Sequence, residues 1–266
     1  MDETVLLIDS KERQYLVRLV NGGSFRYHEG VLPHADIVGT KEGTTLTASG
    51  GGRLLVLRPR LADFVLRMPR GAQLVYPKDL GPILVWADIA PGMTIVEGGT
   101  GSGALAIGLA RAVGPTGRVV SVERREDHAD HARKTIRRWF GEVPPQLELR
   151  LGEVEDAIAD VEPERVVLDV PEPWHAVGVA AAAQPEGAVF CSYLPTVPQV
   201  SQLVEAMRET TAFAEIEVSE TLHREWNIRG RSVRPAHQMI GHTGFLVVAR
   251  RVFGTVEAPA GVIEEE

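Results

Sequence analysis

The chain has 266 residues, with 28 lysines and arginines against 36 aspartates and glutamates, for a formal net charge of −8. Hydrophobic residues make 44% and charged residues 24%, which excludes disordered, collagen-like and disulfide-scaffold classes. Cys191 is the only cysteine, no run is apolar enough to span a bilayer, the first residues lack a basic leader, and no cysteine–histidine cluster has metal-ligand spacing; a cytoplasmic chain with no membrane and no metal is expected.

Residues 1–65 read as short β segments at 5–8, 15–17, 44–47 and 54–57, punctuated by Gly22-Gly23, Gly43 and Gly50-Gly51-Gly52. No helical period of useful length shows there, so a small β-barrel or β-sandwich is expected as an N-terminal domain. Residues 66–92 connect it to the rest and carry a helix at 81–89, ended by Pro91-Gly92. Charge is unevenly spread. Between 53 and 78 there are six basic residues (Arg53, Arg58, Arg60, Arg67, Arg70, Lys78) and one acid, Asp63; between 142 and 172 there are ten acids and two basic residues. The net charge therefore hides a patch that could meet phosphates, with a merely solvated face as the alternative.

Residues 93–253 alternate strands with helices. Strands fall at 94–96, 118–122, 147–151, 166–170, 188–193, 214–219 and 245–249, and helices at 104–112, 125–140, 175–183 and 197–208. That order implies a largely parallel sheet covered on both faces. Residues 254–266 have few packing side chains and read as a flexible tail.

The most informative segment is Glu97-Gly98-Gly99-Thr100-Gly101-Ser102-Gly103-Ala104, a glycine turn between the first strand and first helix of this sheet. Twenty residues after Gly103 a second apolar run ends in Glu123. Strand, glycine turn, helix, strand and acid describe a nucleotide-binding α/β half. Glu97 separates two versions of it. A pyrophosphate belongs at a helix N-terminus, and a carboxylate entering the turn would repel it. The same carboxylate suits a cationic amine and sulfonium, as in S-adenosylmethionine, with Glu123 accepting from ribose hydroxyls. A purely structural glycine turn with an exposed acid is the alternative.

In such sheets ligands bind beyond the carboxyl ends of the strands. Glu153 and Asp169 fall at such ends. Glu153 could read the adenine amine of a nucleoside, or be a solvated loop acid beside Glu155 and Asp156. Asp169 opens Asp169-Val170-Pro171-Glu172-Pro173-Trp174, where two prolines stop the ladder and hold the chain extended. A carboxylate there can accept from an exocyclic amine, and Trp174 could stack on a flat base or be buried as core. The arrangement resembles the Asp/Asn-Pro-Pro-aromatic signature of amino- and ring-nitrogen methyltransferases.

Over about residues 4–252 the chain resembles the catalytic subunit family of tRNA adenine-58 N1-methyltransferases, in its bacterial and archaeal homo-oligomeric form. The likeness rests on Met68-Pro69-Arg70-Gly71-Ala72-Gln73, Tyr76-Pro77-Lys78-Asp79, the glycine turn, Glu123-Arg124-Arg125 and the Asp169 segment. It rests also on Ser192-Tyr193-Leu194-Pro195-Thr196 and on Gly241-His242-Thr243-Gly244-Phe245-Leu246. It implies a class I S-adenosylmethionine-dependent methyltransferase, a Rossmann-like seven-stranded sheet with a small N-terminal β domain, assembled as a homotetramer that holds tRNA. By the same resemblance Gln73, Glu97, Gly99, Thr100, Gly101, Ser102, Gly103, Ala104, Leu105, Glu123, His128, Glu153, Val154 and Asp169 hold the cofactor. Where the family often has aspartate, this chain has Glu153, a longer reach to the same amine, and the position of His128 is a variable one.

Asp169 is implied as the catalytic residue, methylating adenine N1 at position 58, with position 57 left open. Trp174 and Tyr193 are candidates to stack on the extruded base, and either could be core. Arg58, Arg60, Arg67, Arg70, Arg224, Arg229, Arg231 and Arg234 are candidates for phosphate contact. Two other functions compete: a class I enzyme acting on isoaspartyl protein, which the Asp169 segment disfavours, and an inactive tRNA-binding scaffold, which should have lost the turn or the acid.

Overall fold

The computed structural model describes residues 3–69 and 74–256. Its N-terminal part runs β1 (Thr4–Asp9), β2 (Gln14–Arg18), β3 (Ser24–Tyr27), β4 (Gly30–Pro33), a one-turn helix α1 (His34–Ile37), β5 (Thr45–Thr47) and β6 (Arg53–Leu57). An antiparallel sheet in the order β2-β1-β6-β5 and the separate β3-β4 hairpin cover one small core of Val5, Leu7, Leu19, Leu32, Leu54 and Val56. The two sets of strands thus form an open sheet with a hairpin laid over it, closer to the sandwich than to the barrel. Phe25 and Tyr27 alternate inward from the hairpin, which the sequence reading left out.

Two helices follow, α2 (Leu61–Arg67) and α3 (Pro77–Trp86). The first crosses the boundary expected at 65, and its Phe64 and Val65 are buried in the core of the following domain. The second starts four residues earlier than expected because Pro77 takes the first helical position, where its fixed φ and missing N–H cost nothing.

The larger domain runs β7 (Thr94–Gly98), α4 (Ala104–Val113), β8 (Arg118–Glu123), α5 (Glu126–Phe140), β9 (Leu147–Leu151), α6 (Val154–Val161) and β10 (Arg165–Leu168). A 3-10 turn at Pro173–Ala176 then leads into α7 (Val177–Ala183), β11 (Val189–Leu194), α8 (Val197–Thr210) and β12 (Phe213–Glu220). The hairpin β13 (Trp226–Arg229) and β14 (Ser232–Pro235) precedes the last strand, β15 (Phe245–Arg251). The seven-stranded order is β12-β15-β11-β10-β7-β8-β9, parallel except for β15, which runs antiparallel between β11 and β12.

Period-two alternation divides two cores between the faces of this sheet. Ile95, Val119, Val167 and Cys191 meet α3, α4 and α5 on one face. Val96, Val120, Val166 and Phe190 meet α6, α7 and α8 on the other. The chain runs β7-β8-β9 in one direction and then returns to place β10 on the other side of β7. That reversal opens a crevice at the carboxyl ends of β7 and β10, the usual ligand position in an open α/β sheet.

Helix α6 is absent from the sequence reading, which treated its acids as loop. Val154, Ala157 and Ile158 face the core at helical spacing, and Glu155 and Asp156 sit in the first turn, where acids complement the helix dipole. Residues 257–266 of the expected tail lie outside the described residues.

Candidate active site

The crevice holds a cavity of about 400 Å³ built from the carboxyl ends of five parallel strands, β7 to β11. Gly99 and Gly101 form its floor, Glu123 and His128 one side, Gly152, Glu153 and Val154 another, and Asp169, Pro171, His175, Tyr193 and Gln199 the far wall.

The glycine turn is forced into this shape. Gly99, Gly101 and Gly103 all have positive φ, which side-chain-bearing residues rarely adopt. At Gly99 space is also lacking, since a Cβ would stand 2.1 Å from the Asp169 carbonyl oxygen. The Asp169 N–H donates to the Gly98 carbonyl at 2.8 Å, so the tip of β10 is fastened to the turn. Thr100, Ser102, Ala104 and Leu105 are buried behind the turn, and the Thr100 and Ser121 hydroxyls share a hydrogen bond of 2.6 Å. They shape the floor without lining the cavity.

Three carboxylates gather here. Glu97, on β7, is fully buried at 0% exposure, and neither side-chain oxygen has a hydrogen-bond partner within bonding distance among the described residues. Burial pushes its acid up from 4.5 to about 8; the neighbouring Ser121 hydroxyl opposes the rise, and Asp169 and Glu123 add to it. Asp169 is raised from 3.8 to about 7, first by burial and then by Glu123. Glu123 is held by backbone donors: Gly101 N–H reaches one oxygen at 3.0 Å and Arg125 N–H the other at 3.1 Å. His128 Nδ1 stands 4.0 Å from the same carboxylate. Glu153 is exposed at the rim, 3.7 Å from Arg124.

An orphaned buried acid beside two others is a strong call for a positive ligand, because an unpaired buried carboxylate is costly and a cation within a few ångströms removes that cost. A sulfonium-bearing nucleoside fits: positive charge near Glu97 and Asp169, ribose hydroxyls at Glu123, and a turn whose backbone admits close approach.

Of the residues expected to hold a cofactor, Gly99, Gly101, Glu123, His128, Glu153, Val154 and Asp169 meet at the cavity, and Glu97 lies beneath it. Gln73 and Arg70 lie outside the described residues. Of the two readings of Trp174, base stacking and core, its position fits the core: it packs on the α6–α8 face and is not among the residues that line the cavity. Its ring lies 5.9 Å, centroid to centroid, from that of His175, which does line the cavity. Tyr193 does reach the cavity. Arg224 is exposed and is not among the lining residues, nor are the exposed Arg229, Arg231 and Arg234 of the hairpin. Lys78 is corrected: it was counted in the basic patch, yet it is buried and paired with Asp79 at 2.8 Å. His175 and Gln199 carry no signal in the sequence reading; Gln199 donates to the Pro171 carbonyl at 2.9 Å and steadies the segment after Asp169.

Residues 53–234 match the family described as the tRNA methyltransferase complex GCD14 subunit, and residues 1–46 match a TrmI-like N-terminal family. A Thermus thermophilus tRNA (adenine(58)-N(1))-methyltransferase TrmI is 40% identical over 248 residues, 93% of this chain and 96% of that protein. A Methanocaldococcus jannaschii tRNA (adenine(57)-N(1)/adenine(58)-N(1))-methyltransferase TrmI is 34% identical, covering 92% of this chain and 94% of its own length. Among solved structures, a SAM-dependent O-methyltransferase from Thermotoga maritima superposes with a TM-score of 0.89 at 30% identity, over 96% of this chain and 95% of that one.

Proposed function

This chain belongs to the family of the tRNA methyltransferase complex GCD14 subunit, and we propose that it transfers the methyl group of S-adenosylmethionine to N1 of adenine 58 in tRNA, giving 1-methyladenosine. One observation carries the reading: Glu97, without a hydrogen-bond partner among the described residues, lies under the glycine turn that floors the cavity, and Asp169, at the next strand tip, lines that cavity. When bound, the cofactor supplies an electrophilic methyl carbon on a positively charged sulfur.

The residues of the chain then have distinct tasks. Glu97, beneath the floor, offsets positive charge. Glu123, its oxygens fixed by the Gly101 and Arg125 N–H groups, accepts from ribose hydroxyls. Glu153 at the rim reads the adenine amine of the cofactor, with Val154 beside it. Asp169 accepts from the N6 amine of the target base and aims N1 into the cavity. Adenine N1 already has a free lone pair, so no deprotonation must precede attack. Charge that grows on the ring spreads to N6, where Asp169 stabilises it and can take the proton. Alignment supplies most of the acceleration, and the fixed carboxylate in a water-poor site adds to it.

Base 58 must leave its stack to enter, with Tyr193 as the wall it meets. The exposed arginines of the β13–β14 hairpin and Arg58, Arg60 and Arg67 are assigned to phosphates. On the same likeness the chain acts in the cytoplasm as a homotetramer. Trp226, Ile228 and Val233, left 59–70% exposed on the hairpin, support a subunit contact there, and a monomeric mass in light scattering would remove that part.

The test is nucleoside mass spectrometry of tRNA incubated with enzyme and cofactor. We expect 1-methyladenosine at position 58, with position 57 scored separately. Asp169→Ala should cut turnover ~100-fold or more while holding cofactor affinity within a few-fold. Full methylation by that variant would refute the role of Asp169, and 2′-O-methyl products would redirect the reading to oxygen acceptors.

A further inference from the structure

Two sequence motifs that the cofactor site does not use meet behind its far wall. Asp79, in the first turn of α3, is 4% exposed. Its Oδ2 accepts from the Tyr193 hydroxyl at 3.1 Å and from the Thr243 hydroxyl at 2.6 Å. Its Oδ1 accepts from Lys78 Nζ at 2.8 Å, and Lys78 also donates to the Thr221 carbonyl at 2.6 Å. The backbone of Gly244 lies flat on the Tyr193 ring, where a Cβ would come within 2.5 Å of Cζ. Just above, His242 bridges the Glu220 carboxylate and the Pro195 carbonyl at 2.7 and 2.8 Å. Tyr193 and Pro195 both line the cavity.

The phenol therefore has one available geometry. Its hydroxyl is anchored by Asp79, Gly244 closes tightly against the ring, and the residue lines the cavity. Burial keeps the phenol protonated well above the usual tyrosine range, so it remains a donor to Asp79. A core tyrosine needs a single hydrogen-bond partner. Here a buried ion pair and a threonine hold that partner still, behind a core residue that lines the cavity.

We propose that Asp79 is a positioning residue for methyl transfer: held by Lys78 and Thr243, it fixes the plane of Tyr193, the surface against which the incoming purine settles. The inference rests on the adenine-methylation reading above. A ring free to tilt would let N1 wander from the line of attack, and an error of that size costs rate far more than binding.

The experiment measures kcat and KM for tRNA, with S-adenosylhomocysteine affinity by calorimetry, in three variants of the full chain. Tyr193→Phe keeps the ring and the Lys78–Asp79 pair and removes only the anchor. Lys78→Met/Asp79→Leu replaces the pair by apolar side chains, a change that buried ion pairs commonly tolerate. The triple variant combines them. We expect each of the first two to lower kcat ~10-fold, with tRNA KM and S-adenosylhomocysteine affinity within ~2-fold of wild type, and the triple variant to be no slower than the slower parent. Unchanged kcat in Tyr193→Phe, multiplied losses in the triple variant, or a parallel loss of cofactor affinity overturns the proposal. A wild-type protein that binds S-adenosylhomocysteine yet methylates no adenine overturns the enclosing reading and this one with it.

Discussion

On the α3 side of the cavity the buried Asp79 carboxylate takes hydrogen bonds from Lys78, Tyr193 and Thr243, whereas under the glycine turn the buried Glu97 carboxylate has no hydrogen-bond partner among the described residues. Neither acid lines the cavity and both are shut away from water, Asp79 behind Tyr193 and Glu97 under the turn. The difference separates two uses of a buried charge. A paired one joins elements of the fold, here α3 to β11 and to the segment before β15. An unpaired one is a standing cost that folding alone does not recover and that a cationic ligand can.

Breaking the paired side has the largest expected effect on stability. Lys78→Met leaves Asp79 buried without its cation, and we expect a loss of ~3–5 kcal/mol in chemical denaturation. A loss under ~1 kcal/mol would mean that the pair is not buried in solution.

The opposite sign is expected on the other side. Glu97→Gln removes a group that is hard to ionise in place, so the ligand-free protein should gain ~1–2 kcal/mol while S-adenosylmethionine binding weakens ~10-fold or more. Destabilisation together with undiminished affinity would show that Glu97 has a protein partner and no part in binding.

The smallest effect sharpens the contrast through pH. Glu97 and Asp169 have folded-state values near 8 and 7, above ordinary values of 4.5 and 3.8. Between about pH 4 and 8 the unfolded chain therefore binds fewer protons than the folded one. Their contribution is full below about pH 4 and is lost as pH rises through 7 and 8, so the ligand-free melting temperature should fall over that range. A cation lowers both values, so binding near pH 7 should release on the order of one proton. Calorimetry in buffers of different ionisation enthalpy reads this directly, and identical heats in both would exclude it.

Much of the unpaired side was legible from residue order. A glycine turn after one strand, Glu123 at the end of the next and Asp169 before two prolines can only gather at the carboxyl edge of a parallel sheet. The paired side was not. Lys78 at a helix start reads as solvated, and its burial depends on Thr221, 143 residues away, while Asp79 meets Thr243 across 164. Trp174 stays open between base and core in the sequence for a local reason: past a strand tip the path of a few residues decides where the side chain goes, and here it goes to the core. Helix α6 showed its apolar spacing in Val154, Ala157 and Ile158, but the acids of its exposed face disguised it as loop. The β13–β14 hairpin escaped notice because its side chains are nearly all exposed and carry no inward alternation to read.

The contact between Gly99 and the carbonyl of Asp169 has a mechanical consequence. The glycine shelf and the tip of β10, to which we assign the methyl donor and the acceptor, are pressed together main chain to main chain. Their spacing is set as one unit, much as the two jaws of a gauge are cut from a single block, and nothing larger than hydrogen at position 99 can enter without resetting it.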